Sequence, residues 1–186
     1  GNVTIGTDSF RAANLFGSTY WEMDIHGNFY AVGGQALMTG LPAAPGGGQA
    51  IDFALTPNRD GVYMLLKDGN IRRSTAASIM PNTPVFSGED RFRKIRVTPD
   101  GLGYYVMDKY GQVYNGGAAP AITPPAGFPA GSEVAADFEL TADGKGYYLL
   151  TLDGAIRAAG TAAAVVTNTT PTWSVDANLG RVARDL

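Results

Sequence analysis

The chain has 186 residues, 45% of them apolar and 17% charged, with a net charge of −3. That length supports one domain with a buried core, and the absence of a basic excess argues against nucleic-acid binding by phosphate neutralisation. No apolar run is long enough to cross a membrane as a helix, and the lack of cysteine excludes disulfides, thiolate metal sites and cysteine nucleophiles.

Glycine (25 residues) and proline (11) favour short elements joined by turns. Residues 1–17 contain no strand that the pattern places. The first alternating run, YWEMDIH from Tyr20, reaches Gly27 and leads into NFYAV. AIDFALT from Ala50 then meets the turn signal Pro57-Asn58-Arg59-Asp60-Gly61, followed by VYMLLKD from Val62, Gly69 and NIRRS. The same order returns as FRKIRVT from Phe92, Pro99-Asp100-Gly101, YYVMDKY from Tyr104, Gly111 and QVYNG. It returns again as AADFELT from Ala135, Ala142-Asp143-Gly144, YYLLTLD from Tyr147, Gly154 and AIRAA, and ARDL at 183–186 begins a further copy of the leading strand. Loops ending in Phe86, Phe128 and Trp173 separate the units. Helical periodicity is sustained nowhere.

Gly27, Gly69, Gly111 and Gly154 are spaced by 42, 42 and 43 residues. Pairs such as Asp68-Gly69 and Asp153-Gly154 predict two-residue type I′ hairpins. Units of this length with three or four antiparallel strands predict an all-β chain, a β-propeller of four blades of about 42 residues in one domain spanning 1–186. The units are approximately 8–49, 50–91, 92–134 and 135–182. Residues 183–186 are expected to close the ring as the innermost strand of the first blade, beside the hairpin at 20–33. The phrase TPDG-x-GYYV with its following Gly-x-Val resembles bacterial propeller repeats of the NHL and YVTN/lactonase-like kind, over roughly residues 18–186. The resemblance implies propeller architecture. Such propellers include binding scaffolds, lactonases and lyases, so activity must be argued from sites.

Two groups of residues are candidates for chemistry. The leading strand of each unit borders the central channel of a propeller, and it carries Asp52, Lys94, Arg96, Asp137 and Glu139. These charges either surround a polar ligand or ion, or cross-link neighbouring blades as ion pairs. The second group breaks the repeat. Alternation places Glu22, Asp24 and His26 on one strand face, whereas the other units have Met64, Val106 and Leu149 in place of Glu22. A carboxylate pair and the single histidine have the chemistry of a divalent-cation or acid–base site. Their spacing of about 6.6–7 Å per two residues is wide for one metal. Solvent exposure at a seam of the array is the alternative reading.

No G-x-S-x-G elbow, phosphate-cradling loop or HExxH is present. The expected function is therefore a non-catalytic, secreted or surface propeller, extracellular or periplasmic, that binds a glycan, a peptide or a partner protein. It needs no cofactor beyond an optional divalent cation in the channel, and it neither binds nucleic acid nor inserts into a membrane. The alternative is a metal-assisted hydrolase or lyase of the lactonase-like class.

Overall fold

The computed structural model describes residues 10–16, 19–34, 36, 38–45, 47, 49–78, 80, 84–125 and 132–165. Among these are twelve strands, β1 to β12, and no helix. They form four antiparallel sheets of three strands each, in the orders β1-β2-β3, β4-β5-β6, β7-β8-β9 and β10-β11-β12. The first holds β1 (Phe10–Phe16), β2 (Thr19–Asp24) and β3 (Phe29–Val32); the second holds β4 (Ala50–Leu55), β5 (Val62–Leu66) and β6 (Ile71–Arg73). The third holds β7 (Phe92–Val97), β8 (Gly103–Asp108) and β9 (Val113–Gly117); the fourth holds β10 (Ala135–Leu140), β11 (Gly146–Thr151) and β12 (Ile156–Gly160). The repeating phrase of the sequence is thus one sheet.

The double aromatic of that phrase has a geometric explanation. Neighbouring residues of a strand point to opposite faces of the sheet. Tyr104 of β8 therefore packs towards the second sheet, with Tyr63, Leu65 and Ile95, while Tyr105 packs towards the fourth, with Phe138, Tyr147 and Leu149. Both tyrosines are 1% exposed. The first and second sheets meet in the same way through Trp21, Met23, Phe29, Phe53 and Met64. The central strands of the two inner sheets are thereby buried on both faces, which is why β5 and β8 are buried along their whole length.

Two details differ from the sequence expectation. The hairpins after β2, β5, β8 and β11 are not two-residue type I′ turns. The Gly27 N–H donates to Asp24 O, and the Asp24 N–H to Asn28 O, both at 3.0 Å. The same pair of bonds recurs at Leu66, Asp108 and Thr151. This is a three-residue loop, a type I turn closed by one left-handed residue. Only the glycine takes positive φ, 94° at Gly69, and neither Asp68 nor Asp153 does. A side chain at Gly69 would also meet the Pro84 carbonyl at 2.6 Å.

The second difference concerns the leading strand of the first sheet. The place beside β2 is occupied by β1, with Ala13 opposite Glu22 and Asn14 opposite Trp21. Residues 183–186, expected at that position, lie outside the described residues. No strand of the fourth sheet packs on a strand of the first among the described residues, so the described strands form a series of sheets rather than a closed ring. β1 shares with β4, β7 and β10 a bulge one residue from its start, at Phe10/Ala12, Ala50/Asp52, Phe92/Lys94 and Ala135/Asp137. A bulge increases local twist, and here it brings the residue after it to an equivalent place in each sheet.

Truncation of Phe53, 1% exposed between the first two sheets, is expected to lower the unfolding free energy by about 3–5 kcal/mol. Leu15→Ala, at a position 75% exposed, should change it by less than about 0.5 kcal/mol. Urea unfolding of both variants checks the packing order.

Candidate functional site: the inner-strand cavity

The leading strands β1, β4, β7 and β10 all contribute to one concave surface. The registers make Ala12, Asp52, Lys94 and Asp137 equivalent, and two residues further on Asn14, Ala54, Arg96 and Glu139. Arg96 is the centre of this layer. Its Nη1 donates to Asp52 Oδ2 of the second sheet at 3.2 Å, and its Nη2 to Asp137 Oδ1 of the fourth sheet at 3.2 Å. Its Nε donates to Glu139 Oε1 at 2.8 Å, and Nη1 also reaches the Ile95 carbonyl at 3.0 Å. Lys94 Nζ lies 3.5 Å from Asp137 Oδ1. One guanidinium in the third sheet therefore holds carboxylates from the sheets on either side, matching its forked donors to two partners at once.

The electrostatics follow from this burial. Desolvation pushes the Asp52 carboxyl up, opposed by Arg96, by Lys94 and by N–H bonds from Ile95 and Phe53. The Ile95 N–H donates to Asp52 Oδ2 at 2.9 Å. Burial disfavours the charge on Arg96, but Asp52, Glu139 and Asp137 outweigh it and raise the guanidinium pKa further.

Above this layer is a cavity of about 630 Å³. Its walls are Arg11, Asn14 and Leu15 of β1, Asp52 and Leu55 of β4, Lys94, Arg96 and Val97 of β7, and Glu139 of β10. Pro57 and Arg59 border it from the turn after β4. The Asn14 side-chain amide donates to the Phe53 carbonyl at 3.1 Å, fixing β1 on β4. Among the described residues four cations and two carboxylates line this space, in a chain of net charge −3. Of the predicted charges, Asp52, Lys94, Arg96 and Glu139 line the cavity, and Asp137 is buried behind Lys94 and Arg96.

Glu22, Asp24 and His26 are not brought together in this way. Asp24, 6% exposed, accepts the His26 N–H at 2.8 Å, the Asn28 N–H and side-chain amide at 2.9 Å each, and Tyr30 Oη at 3.1 Å. Burial raises its carboxyl pKa, but these bonds prevail and hold it below the usual 3.8. Asp108 makes the corresponding bonds to Tyr110, Gln112 and Tyr114. Asp24 is accordingly the cap of its hairpin. His26 lies past the end of β2, exposed on the turn. Glu22 stands where Met64, Val106 and Leu149 pack on a preceding sheet, and among the described residues no sheet precedes the first. Among the described residues no three His, Asp or Glu side chains are grouped so as to hold a metal ion. Of the loop aromatics, Phe86 is covered by the Arg91 guanidinium, 3.7 Å from its ring centre; Phe128 and Trp173 lie outside the described residues.

Sequence reasoning missed Arg11, Asn14 and Arg59. A signal for β1 exists: Phe10-Arg11 before Tyr20-Trp21-x-Met23-Asp24 matches Phe92-Arg93 before Tyr104-Tyr105-x-Met107-Asp108. Arg59 has a signal of another kind. In the turns after β7 and β10 the Gly101 and Gly144 N–H groups donate back to Thr98 O and Thr141 O, and the Arg59 N–H donates to Thr56 O in the same way. Gly101 and Gly144 have φ of 71° and 66°, and Arg59 has 61°. It is the one described non-glycine residue with positive φ, at a cost of about 1 kcal/mol.

No protein-family model matches the chain, and no curated protein does. Solved structures do. The C-terminal WD40 domain of Sif2 superposes with a TM-score of 0.54 at 14% identity, covering 86% of this chain and 48% of that one. The fold is a β-propeller. A Bacteroides uniformis protein provisionally assigned as a 6-phosphogluconolactonase aligns at a TM-score of 0.46 and 15% identity, over 80% of this chain and 49% of its own. A Lactobacillus plantarum protein aligns at 0.45 and 11%, over 77% and 48%. The chain spans about half the length of the structures it matches. In propeller terms each described sheet corresponds to a blade, and β1, β4, β7 and β10 stand in the inner-strand position that lines the cavity.

Arg96→Met is expected to destabilise the propeller by about 3–5 kcal/mol, because Asp52 and Asp137 are left as buried carboxylates without their guanidinium; chemical denaturation measures it. Asp24 gives a pH signature of opposite origin. A carboxyl depressed in the folded state stabilises above its unfolded pKa of 3.8 and loses that contribution as pH falls through the folded value. Between about pH 5 and pH 2 the melting temperature of the parent should therefore fall more steeply than that of Asp24→Asn, as thermal melts across that range will show.

Proposed function

We propose that this propeller is a non-catalytic binding module that takes a peptide segment of a partner protein in the inner-strand cavity. The observation that carries the reading is the wall of that cavity: polar and charged side chains from four blades, with Leu15, Leu55, Val97 and Pro57 among them. A concave site of this size, apolar in part with a few fixed polar groups, suits a peptide side chain and its backbone. Two further points support it over the alternatives. Among the described wall residues Phe53 is the one aromatic ring, and at 1% exposure it offers no face on which a sugar could stack. The acidic residues that a metal-assisted hydrolase would need are engaged with Arg96 and Lys94, or, for Asp24, with its hairpin. The WD40 likeness supports the fold alone, and the binding role rests on the cavity.

Selection from a random peptide library on the immobilised protein tests this. Selected peptides are expected to bind the parent and to lose at least about tenfold in affinity to Leu15→Glu, which places a charge at the mouth without touching the core. Peptides that bind both proteins equally, or no selected peptide at all, would overturn the reading.

A further inference from the structure

The first blade repeats the third in the residues by which the third packs on its predecessor. Phe10 stands opposite Asp24 as Phe92 stands opposite Asp108. The Phe10 ring meets Tyr30 edge-on with 6.3 Å between centres, and Phe92 meets Tyr114 in the same way at 5.7 Å. Tyr30 Oη donates to Asp24 Oδ2 at 3.1 Å, and Tyr114 Oη to Asp108 Oδ2 at 3.2 Å. Tyr20 likewise holds the place of Tyr104.

In the third blade this set is an interface. Phe92 is 0% exposed, beside Phe86 and against Gly69 of the second blade, where a Cβ would come within 2.4 Å of the ring. In the first blade the same set is open. Phe10 is 42% exposed, and no sheet covers that face among the described residues. Aromatic surface held in the geometry of a packed interface but presented to water marks a contact site.

The fourth blade carries what such a face receives. Tyr63 and Leu65, then Tyr105 and Met107, face the blade that follows them. Their counterparts by register are Tyr148 and Leu150. Leu150 is buried, but Tyr148 is only half-buried, whereas Tyr63 and Tyr105 lie fully covered by the next blade. Gly154, with φ of 87°, stands in the fourth hairpin where Gly69 admits Phe92.

We propose that two copies of this chain associate head to tail about a twofold axis, the fourth blade of each on the first blade of the other. Phe10 of one copy then enters beside Gly154 of the second. The occupant is a blade of the same kind because the open face reproduces a contact the chain already makes between its own second and third blades. The length agrees, since this chain aligns with 48% of a WD40 propeller domain and two copies span such a ring. Glu22 is the exception on the face, standing where Met64, Val106 and Leu149 pack on a preceding blade. Its carboxylate must lose water when the faces meet, so the association is reversible and depends on concentration.

Sedimentation velocity of the full chain from about 1 μM to about 500 μM tests this. The parent should pass from the 19.5 kDa chain to a species of twice that mass as concentration rises. Phe10→Ser and Tyr148→Ser should each weaken the dimer at least about tenfold, and Glu22→Met should tighten it at least about tenfold. Thermal melts at the lowest concentration check that the variants fold, and Glu22→Met decides the matter if a serine variant does not. Leu15 and the charged cavity residues are unchanged in every variant, so the outcome does not depend on what the cavity binds. A parent that stays monomeric throughout, or that assembles beyond two copies, would overturn the proposal. So would a dimer indifferent to Phe10→Ser, to Tyr148→Ser or to Glu22→Met.

Discussion

Every sheet in this protein depends on its neighbours, because its central strand sends one large side chain to each face. Tyr104 and Tyr105 are adjacent, both fully buried, and packed against different blades. A three-stranded sheet with two apolar faces and no cover is not stable in water. Stability is therefore a property of the series, distributed over blade-to-blade interfaces in the manner of repeat proteins. The same dependence bears on the first blade: where Met64, Val106 and Leu149 pack on a preceding blade, the first carries Glu22, half-buried, on a face that no sheet covers among the described residues.

The polar centre is subject to the opposite constraint. Inner strands converge, and the charges they carry are buried close together. Asp52 and Asp137 would be costly there without Arg96, and Arg96 would be costly without them. The third blade supplies the cations that the carboxylates of the second and fourth require, so the ion-pair layer enforces the order of these three blades in addition to the apolar packing. Arg96 reaches one oxygen of each of Asp52, Asp137 and Glu139, so the inner-strand acids act first as its partners. What the layer leaves open is the cavity above it, where cations exceed carboxylates and apolar side chains lie between them.

Much of this was legible in the residues. The spacing of Gly27, Gly69, Gly111 and Gly154 marks the hairpins, because a loop residue with positive φ favours glycine, and at Gly27 and Gly69 a side chain would also clash. The inner-strand charges could be named from alternation alone. The turn type was misjudged: an Asp-Gly pair suits both a two-residue loop and the end of a three-residue one, and only the hydrogen bonds at Asp24 and Gly27 separate them. The first inner strand was missed because FRAANLF lacks the turn signal that follows the other three, so ARDL seemed the better match. Asp24 looked exceptional beside Leu66 and Thr151, yet it is the structural twin of Asp108, and both cap a hairpin.

By itself the sequence determined the repeat, the strand content, the residues that alternate between faces and the charges of the inner strands, since these follow from local periodicity and turn chemistry. Only the tertiary structure decided which of those charges meet. Arg96 and Asp52 are 44 residues apart, and their contact exists because adjacent blades set equivalent residues side by side. The tertiary structure likewise placed Arg11 and Arg59 on one wall and removed His26 from its supposed partners. A strand's period says which way a side chain points, and the packing of whole blades says what it finds there.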